Sequence, residues 1–262
     1  MALQTTGAIS LSDIQTEFGG TNPISMSEYY RGGGLVSSNN ASIPESGLIK
    51  TSQFYGASAY ATMYEQVLTG SGTFTPLYAG AMAIIQIGGG GGSGGCSASG
   101  NGEDYSIYGY RGKTGGSGAA TSIFVTDIDD FSGGAYSVGS GGAGGSVSSS
   151  GGPLGRYGPS GSASYFNSPS SSPYTINAGY GTGGGYTTDH PAATSGSMSG
   201  TYPTDTSSLP AEVLLDGSPV STSTYIAAPA RPAGGTGYYS MFGYASATSG
   251  GAGFIRIYYI VG

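Results

Sequence analysis

The stretch "AIIQIGGGGGSGGC", residues 83–96, runs from a strand-like apolar segment straight into almost pure glycine. Glycine loses more backbone entropy on folding than any other residue and carries no side chain to bury. A folded chain keeps such a run where a Cβ is forbidden, at positive φ or where two backbones touch. Residues 88–92 therefore either turn sharply off the strand or pack edge to edge against other glycine tracts as extended, polyproline-II-like segments. A flexible linker is the third alternative. It is disfavoured because several glycine tracts are each bracketed by strand-like runs.

Composition supports a folded chain. Of 262 residues 53 are glycine and only 8% are charged, yet 22 are tyrosine and 37% are hydrophobic. Disordered chains are poor in aromatics and rich in charge, so this balance points to a folded, mostly non-helical protein. The net charge of −7, with basic residues scattered at Arg31, Lys50, Arg111, Lys113, Arg156, Arg231 and Arg256, gives no footprint for DNA or RNA. The start "MALQTTGAISLSDIQ" has neither a cationic n-region nor an apolar h-region. No apolar run reaches the roughly 18 residues that span a bilayer, so neither export nor membrane insertion is expected. A lone Cys96 excludes an intrachain disulfide and a thiolate zinc site, and reads as a buried or loop thiol.

Near residue 60 the pattern changes. The first sixty residues hold three copies of one order, apolar, hydroxyl, acid or amide, aromatic, glycine: residues 9–20, 24–33 and 49–56. Ser12, Ser25 or Ser27, and Thr51 or Ser52 are expected helix N-caps, with Gln15 and Glu28 as capping-box partners. Gly19, Gly32 and Gly56 fall where a helix end turns left-handed. One- or two-turn helices are not stable alone, so Phe18, Tyr29, Tyr30, Phe54 and Tyr55 must dock on each other or on a partner.

The segment "ISLSDIQTEFGGTNPISMSEYYRGGGLV", residues 9–36, resembles a motif at the N-termini of tailed-bacteriophage tail, fibre and minor structural proteins. The resemblance implies a virion component assembled in the host cytoplasm, with this module at the attachment point to other virion tail proteins. The residues it implies for attachment are Ile9, Leu11, Ile14, Phe18, Ile24, Met26, Tyr29, Tyr30 and Arg31.

From residue 61 onward the period is two. The runs 73–75, 81–87, 121–128, 134–138, 212–215 and 253–261 are β-branched or aromatic and bounded by glycine, proline or serine, and are predicted strands. In the last, Ile255, Ile257 and Tyr259 alternate with Phe254, Arg256 and Tyr258. The expected fold is mainly β: a short N-terminal helical module, residues 1–60, then a glycine-rich antiparallel β-sandwich over 61–262. Long Gly/Ser/Tyr loops at 88–120 and 150–248 are expected to be displayed. "GSGTFTPLYAGAMAIIQIGGGGGSGG", "AYSVGSGGAGG" and "SGGAGFIRIYYI" are similar, in that order, to the glycine-rich C-terminal domain of phage tail fibres. Residues 150–248 depart from that pattern in their Tyr, Pro, Ser and Thr content.

Catalytic signatures fail on inspection. Gly112-Lys113-Thr114 lacks the P-loop glycine, since Ile107 stands in its place. Gly139-Ser-Gly-Gly-Ala-Gly144 fits a dinucleotide spacing, but no helix follows it. Asp127, Asp129 and Asp130 break the EF-hand frame and read as a solvated strand end with a turn. Glu103, Asp104, Asp189 and Asp205 have no reason to pair as glycosidase carboxylates. His190 is a lone histidine beside a proline, and no nucleophile elbow is present. No enzyme activity, cofactor or metal is expected.

What remains is surface. The loop tyrosines, amid Gly, Ser and Asn, resemble binding loops in which rigid rings make contact and small polar residues adapt. The set runs through Tyr157, Tyr225, Tyr238, Tyr239 and Tyr244, and the residues expected to contact a host-surface protein or glycan are Tyr165, Phe166, Tyr174, Tyr180, Tyr186 and Tyr202. The expected protein is a tail fibre or tip component that binds a host receptor as a homo-oligomer, fibre-type proteins being commonly trimers. A purely architectural component, such as a head-decorating fibre or minor tail protein, is the alternative, with a polysaccharide depolymerase as a third class.

Overall fold

The computed structural model describes all residues except 1, 34, 37–39, 60, 105–109, 149–153, 170–173, 188–190, 203, 204, 216, 217 and 262. The chain is mainly β. Helix α1 (Leu11–Phe18) and the short 3-10 turns Met26–Tyr29 and Thr51–Phe54 come first. The strands then run β1 (Ala61–Leu68), β2 (Ser71–Thr73), β3 (Met82–Gly88), β4 (Cys96–Ala98), β5 (Ala120–Val125), β6 (Ala135–Ser137), β7 (Ser146–Ser148) and β8 (Leu154–Arg156). They continue as β9 (Ser164–Asn167), β10 (Thr175–Ala178), β11 (Met198–Thr201), β12 (Glu212–Leu215), β13 (Ser218–Ser221), β14 (Tyr238–Ser240), β15 (Tyr244–Ser246) and β16 (Phe254–Val261). Two compact units result: Met1–Tyr64 with Ser208–Ser223 and Tyr259–Gly262, and Glu65–Ser207 with Thr224–Tyr258. The first thus takes in residues 208–223 and 259–262, beyond the 1–60 module expected from sequence.

The first unit is built on capped turns. Ser10 caps α1: its Oγ accepts from Asp13 N–H at 3.2 Å while Asp13 Oδ2 accepts from Ser10 N–H at 2.8 Å. The cap lies two residues before the expected Ser12, because the reciprocal acid stands three residues after Ser10. Ser25 and Glu28 form the expected pair, with Ser25 N–H donating to Glu28 Oε1 at 3.0 Å. Lys50, not Thr51 or Ser52, precedes the third turn, and its N–H donates to Gln53 Oε1 at 2.6 Å. Gly19, Gly32 and Gly56 have φ of +77°, +77° and +69°, as expected. Phe18, Tyr29 and Phe54 dock on one another edge to face, with Phe54 6.0 Å from Phe18 and 6.4 Å from Tyr29. Ile9, Ile14, Val36, Ile43 and Ala57 complete this core. In the same unit β12 pairs antiparallel with β13 and parallel with β1, Ala61 opposite Val213.

In the second unit β3 pairs antiparallel with β5 from Ala83/Val125 to Gly88/Ala120, and β16 lies on the other side of β3. A five-stranded sheet has the order β11-β10-β9-β6-β2. Its core rings are Phe131 stacked on Phe166 at 4.8 Å, with Phe74 edge-on to Phe166 at 4.9 Å. All six predicted strand runs hold a strand or abut one, β2 ending at Thr73 where the run 73–75 begins.

Beyond β3 the glycine tract answers the question it poses. Gly89, Gly92 and Gly95 N–H donate to Ala119, Gly116 and Lys113 O at 2.9–3.0 Å; Gly90 and Ser93 donate to Ser162 and Pro159; Gly91 and Gly94 donate to Gly251 and Thr248. Each neighbour is revisited every third residue, the period of a polyproline-II helix, which has no internal hydrogen bonds and must give all of them away. In return Gly90, Gly91, Gly92, Ser93 and Gly95 O accept from Gly181, Gly142, Gly235, Gly184 and Tyr238 N–H. Tract 88–95 is therefore the axis of a hexagonal array. Around it, in order, stand 113–119, 179–185, 158–162, 139–145, 247–253 and 232–238, each bonded to the next and alternating in direction. Tract 194–197 adds an outer layer through Thr182 N–H to Thr194 O and Gly196 N–H to Ser117 O. The stretch expected as a displayed loop at 88–120 instead begins with a buried segment, Gly88 to Ser99.

The tract glycines have no positive φ; they are needed because a Cβ would sit 1.9 Å from Ser140 O at Gly90 and 2.1 Å from Ala233 O at Gly91. On the outside, hydroxyls bridge neighbouring tracts. Ser140 N–H donates to Ser162 Oγ at 2.7 Å, Gly144 N–H to Ser249 Oγ at 2.8 Å, Thr236 N–H to Thr248 Oγ1 at 2.6 Å and Gly183 N–H to Ser160 Oγ at 3.3 Å. Because these bonds are exposed, Ser162→Ala is expected to lower stability by only about 1 kcal/mol without unfolding the chain, read by urea denaturation. A loss several times larger would mean that the hydroxyl holds the groove closed.

Candidate functional site

The array sorts the chain between its two ends. At the Gly89 end the tracts run into β5, β6 and β9 to β11. At the Gly95 end the chain leaves the tracts four times and returns to them, between Gly95 and Lys113, Gly145 and Gly158, Gly185 and Thr194, and Tyr238 and Ala247. Each of these loops starts and finishes on a tract hydrogen-bonded to its neighbours, so the array fixes where every loop begins.

The loops close over a small core of their own. Strand β4 pairs antiparallel with β8 and parallel with β14, and β15 pairs antiparallel with β7. The parallel pair, unlike the all-antiparallel expectation, follows from the array: β4 and β14 prolong tracts 88–95 and 232–238, which run in the same direction. Cys96, Ala98 and Ala245 are buried here with Val147 and Ala247 against them, and burial pushes the Cys96 thiol above its ordinary pKa. Loop 99–104 is stitched to the β14–β15 turn by Ser99 N–H to Ser240 O at 2.8 Å, Gly102 N–H to Met241 O at 3.1 Å and Gly243 N–H to Ser99 O at 2.6 Å. Tyr239 OH adds a bond to Glu103 O at 3.0 Å.

Several large apolar and aromatic side chains are exposed at this end. Leu154, Tyr157, Tyr238 and Tyr244 are 50–59% exposed and Phe242 is 83% exposed. Tyr157 meets Tyr186 edge to face at 5.2 Å, and Gly155 leaves the room that the Tyr186 ring fills. Arg111 and Arg156 are exposed and Lys113 is half-buried in the same loop segments, as are the exposed Glu103 and Asp104.

The residues singled out by sequence are scattered by comparison. Tyr186 lies in the loop end. Tyr165 and Phe166 are on β9 and Tyr174 precedes β10; Phe166 is fully buried between rings, so it is a core residue and not a contact. Tyr180 is exposed within tract 179–185, and Tyr202 is half-buried after β11. Of the attachment set, Ile9, Ile14, Phe18 and Tyr29 form the core of the first unit, while Leu11, Ile24, Met26, Tyr30 and Arg31 keep part of their surface. Arg31 pairs with Glu45 at 3.1 Å. Asp127 accepts from Asp129 N–H at 2.8 Å and Asp129 from Gly80 N–H at 3.0 Å, so the acidic cluster caps a turn. Asp189 and His190 lie outside the described residues. Among the described residues no group of three or more His, Cys, Asp or Glu is arranged so that it could hold a metal ion, and no helix is long and apolar enough to cross a membrane. Leu154 and Phe242 were not anticipated from sequence; the signal that could have found them is position, a short loop between glycine tracts of period three.

The chain matches no protein-family model and no curated protein.

Proposed function

We propose that this chain is a non-enzymatic structural protein of a phage tail, a fibre or tip component, whose loop end contacts the host surface. The reading is supported by one observation above all: a laterally hydrogen-bonded array brings the chain out at one end, where Tyr157, Tyr238, Phe242 and Tyr244 expose their rings. Binding surfaces are commonly loops positioned by a rigid scaffold, with Tyr and Phe supplying area at low entropic cost. The resemblance of residues 9–36 to virion-protein N-termini supports placing the first unit toward the particle, through Leu11, Ile24, Met26, Tyr30 and Arg31 rather than the rings buried in its core.

The test is adsorption competition. Purified, folded protein added to host cells before the phage is expected to block adsorption in proportion to its concentration. Replacing residues 238–247 with a Gly/Ser loop of equal length is expected to remove the block. Folded protein that leaves adsorption untouched would overturn the adhesin reading in favour of an architectural component.

A further inference from the structure

We propose that Phe242 is a preorganised anchor, a ring held out from the loop end to enter an apolar pocket on a host-surface protein. The inference rests on the adhesin reading above and names the residue and the chemistry of the partner.

Among the described residues no other large apolar side chain is as exposed: Phe242 stands at 83%. Exposed apolar residues on mobile loops are ordinary, but the backbone that carries this one is pinned. Phe242 N–H donates to Ser240 Oγ at 3.2 Å, Met241 O accepts from Gly102 N–H at 3.1 Å and Gly243 N–H donates to Ser99 O at 2.6 Å. Gly243 has φ +82°, the left-handed turn that lets β15 return directly from the tip. The strands on both sides are themselves paired, β14 with β4 and β15 with β7. A ring presented on a fixed turn has only its own two side-chain torsions left to order on binding, which is the economy of a hot-spot residue.

The chemistry of segment 238–246 selects the partner class. Residues 232–255 contain no charged residue, and the half-exposed Tyr238 and Tyr244 flank the turn. Phenylalanine has no hydrogen-bonding atom to offer a sugar hydroxyl. It suits a protein cleft that closes around it, with the tyrosines as a rim whose hydroxyls stay in water.

The experiment measures binding of fluorescently labelled full-length protein to intact cells of the bacterium on which the phage propagates. Wild type, Phe242→Ala and Phe242→Leu are compared, on untreated cells, on cells shaved with protease and on cells oxidised with periodate. Phe242→Ala is expected to weaken binding by about 30-fold or more, the size of a hot-spot loss, with Phe242→Leu in between. Melting temperature and sedimentation mass are expected to stay at the wild-type values, and protease rather than periodate is expected to abolish binding. Undiminished binding by Phe242→Ala overturns the anchor alone. A lower assembly mass in that variant overturns it in favour of a contact between copies of this chain, and loss of binding after periodate but not protease overturns the protein partner in favour of a glycan. Wild type that binds no untreated cells sinks the adhesin reading itself, and the anchor with it.

Discussion

Gly92→Ala is expected to abolish cooperative folding or to lower stability by about 4 kcal/mol or more, the range reached only by severe core defects. A Cβ at Gly92 would lie 2.0 Å from Thr182 O and 2.3 Å from its carbonyl carbon. Those are backbone atoms of a neighbouring tract, and backbone does not swing aside as a side-chain tip does. Tract 179–185 is held at that distance by Gly181 N–H to Gly90 O and Gly184 N–H to Ser93 O, both 2.9 Å, and by its bonds to 113–119 and 158–162. Moving it breaks buried hydrogen bonds at about 1–3 kcal/mol each, on top of an overpacking cost of about 1–3 kcal/mol. Two further glycines separate this effect from the general entropy of glycine. Gly145→Ala meets only Arg156 Cδ at 3.6 Å and is expected to be neutral or slightly stabilising, because it narrows the unfolded ensemble. Gly102 has open space around it but φ +77°, so its alanine variant is expected to cost about 1 kcal/mol. Denaturant midpoints for the three variants check the order; equal midpoints for Gly92→Ala and Gly145→Ala would mean that the central tract is not closely packed.

Side chains made the strands legible and their absence hid the array. Ile255, Ile257 and Tyr259 alternate with Arg256 and fall on the buried face of β16, since a period of two shows wherever apolar and polar residues take turns. A three-residue helix of glycine leaves no such trace: Gly89, Gly90 and Gly91 face three different tracts but are one letter in the sequence. The nearest trace is the hydroxyls at the outer grooves, Ser140 opposite Ser162 and Thr236 opposite Thr248, and it becomes readable only once the pairs of tracts are known. The same limit governs the candidate site. Phe166 and Phe242 both sit beside Ser and Tyr in glycine-rich surroundings, yet one is stacked in a core and the other stands in solvent. Composition marked the loop regions as aromatic; only the end of the array at which a ring emerges decides whether it can make contact.

Phe54→Ala is expected to unfold the first unit. Phe54 is fully buried and is the ring that both Phe18 and Tyr29 touch, so it joins the first, second and third copies of the repeated pattern. Truncating a buried phenylalanine costs about 3–5 kcal/mol, which is comparable to the whole stability of a small domain. Short turns such as Thr51–Phe54 have no stability of their own to fall back on. Amide hydrogen exchange is expected to show lost protection around Ile14 and Ile43 while Gly89 to Gly95 stay protected, because the glycine array is held by its own bonds. Loss of protection in both places would mean that the two units unfold together. The same variant separates the two halves of the proposed function. If the first unit attaches the protein to the particle and the loop end binds the host, Phe54→Ala protein is absent from purified virions yet still blocks adsorption when added free. Normal incorporation of a variant whose first unit has lost its exchange protection would place the attachment surface elsewhere in the chain.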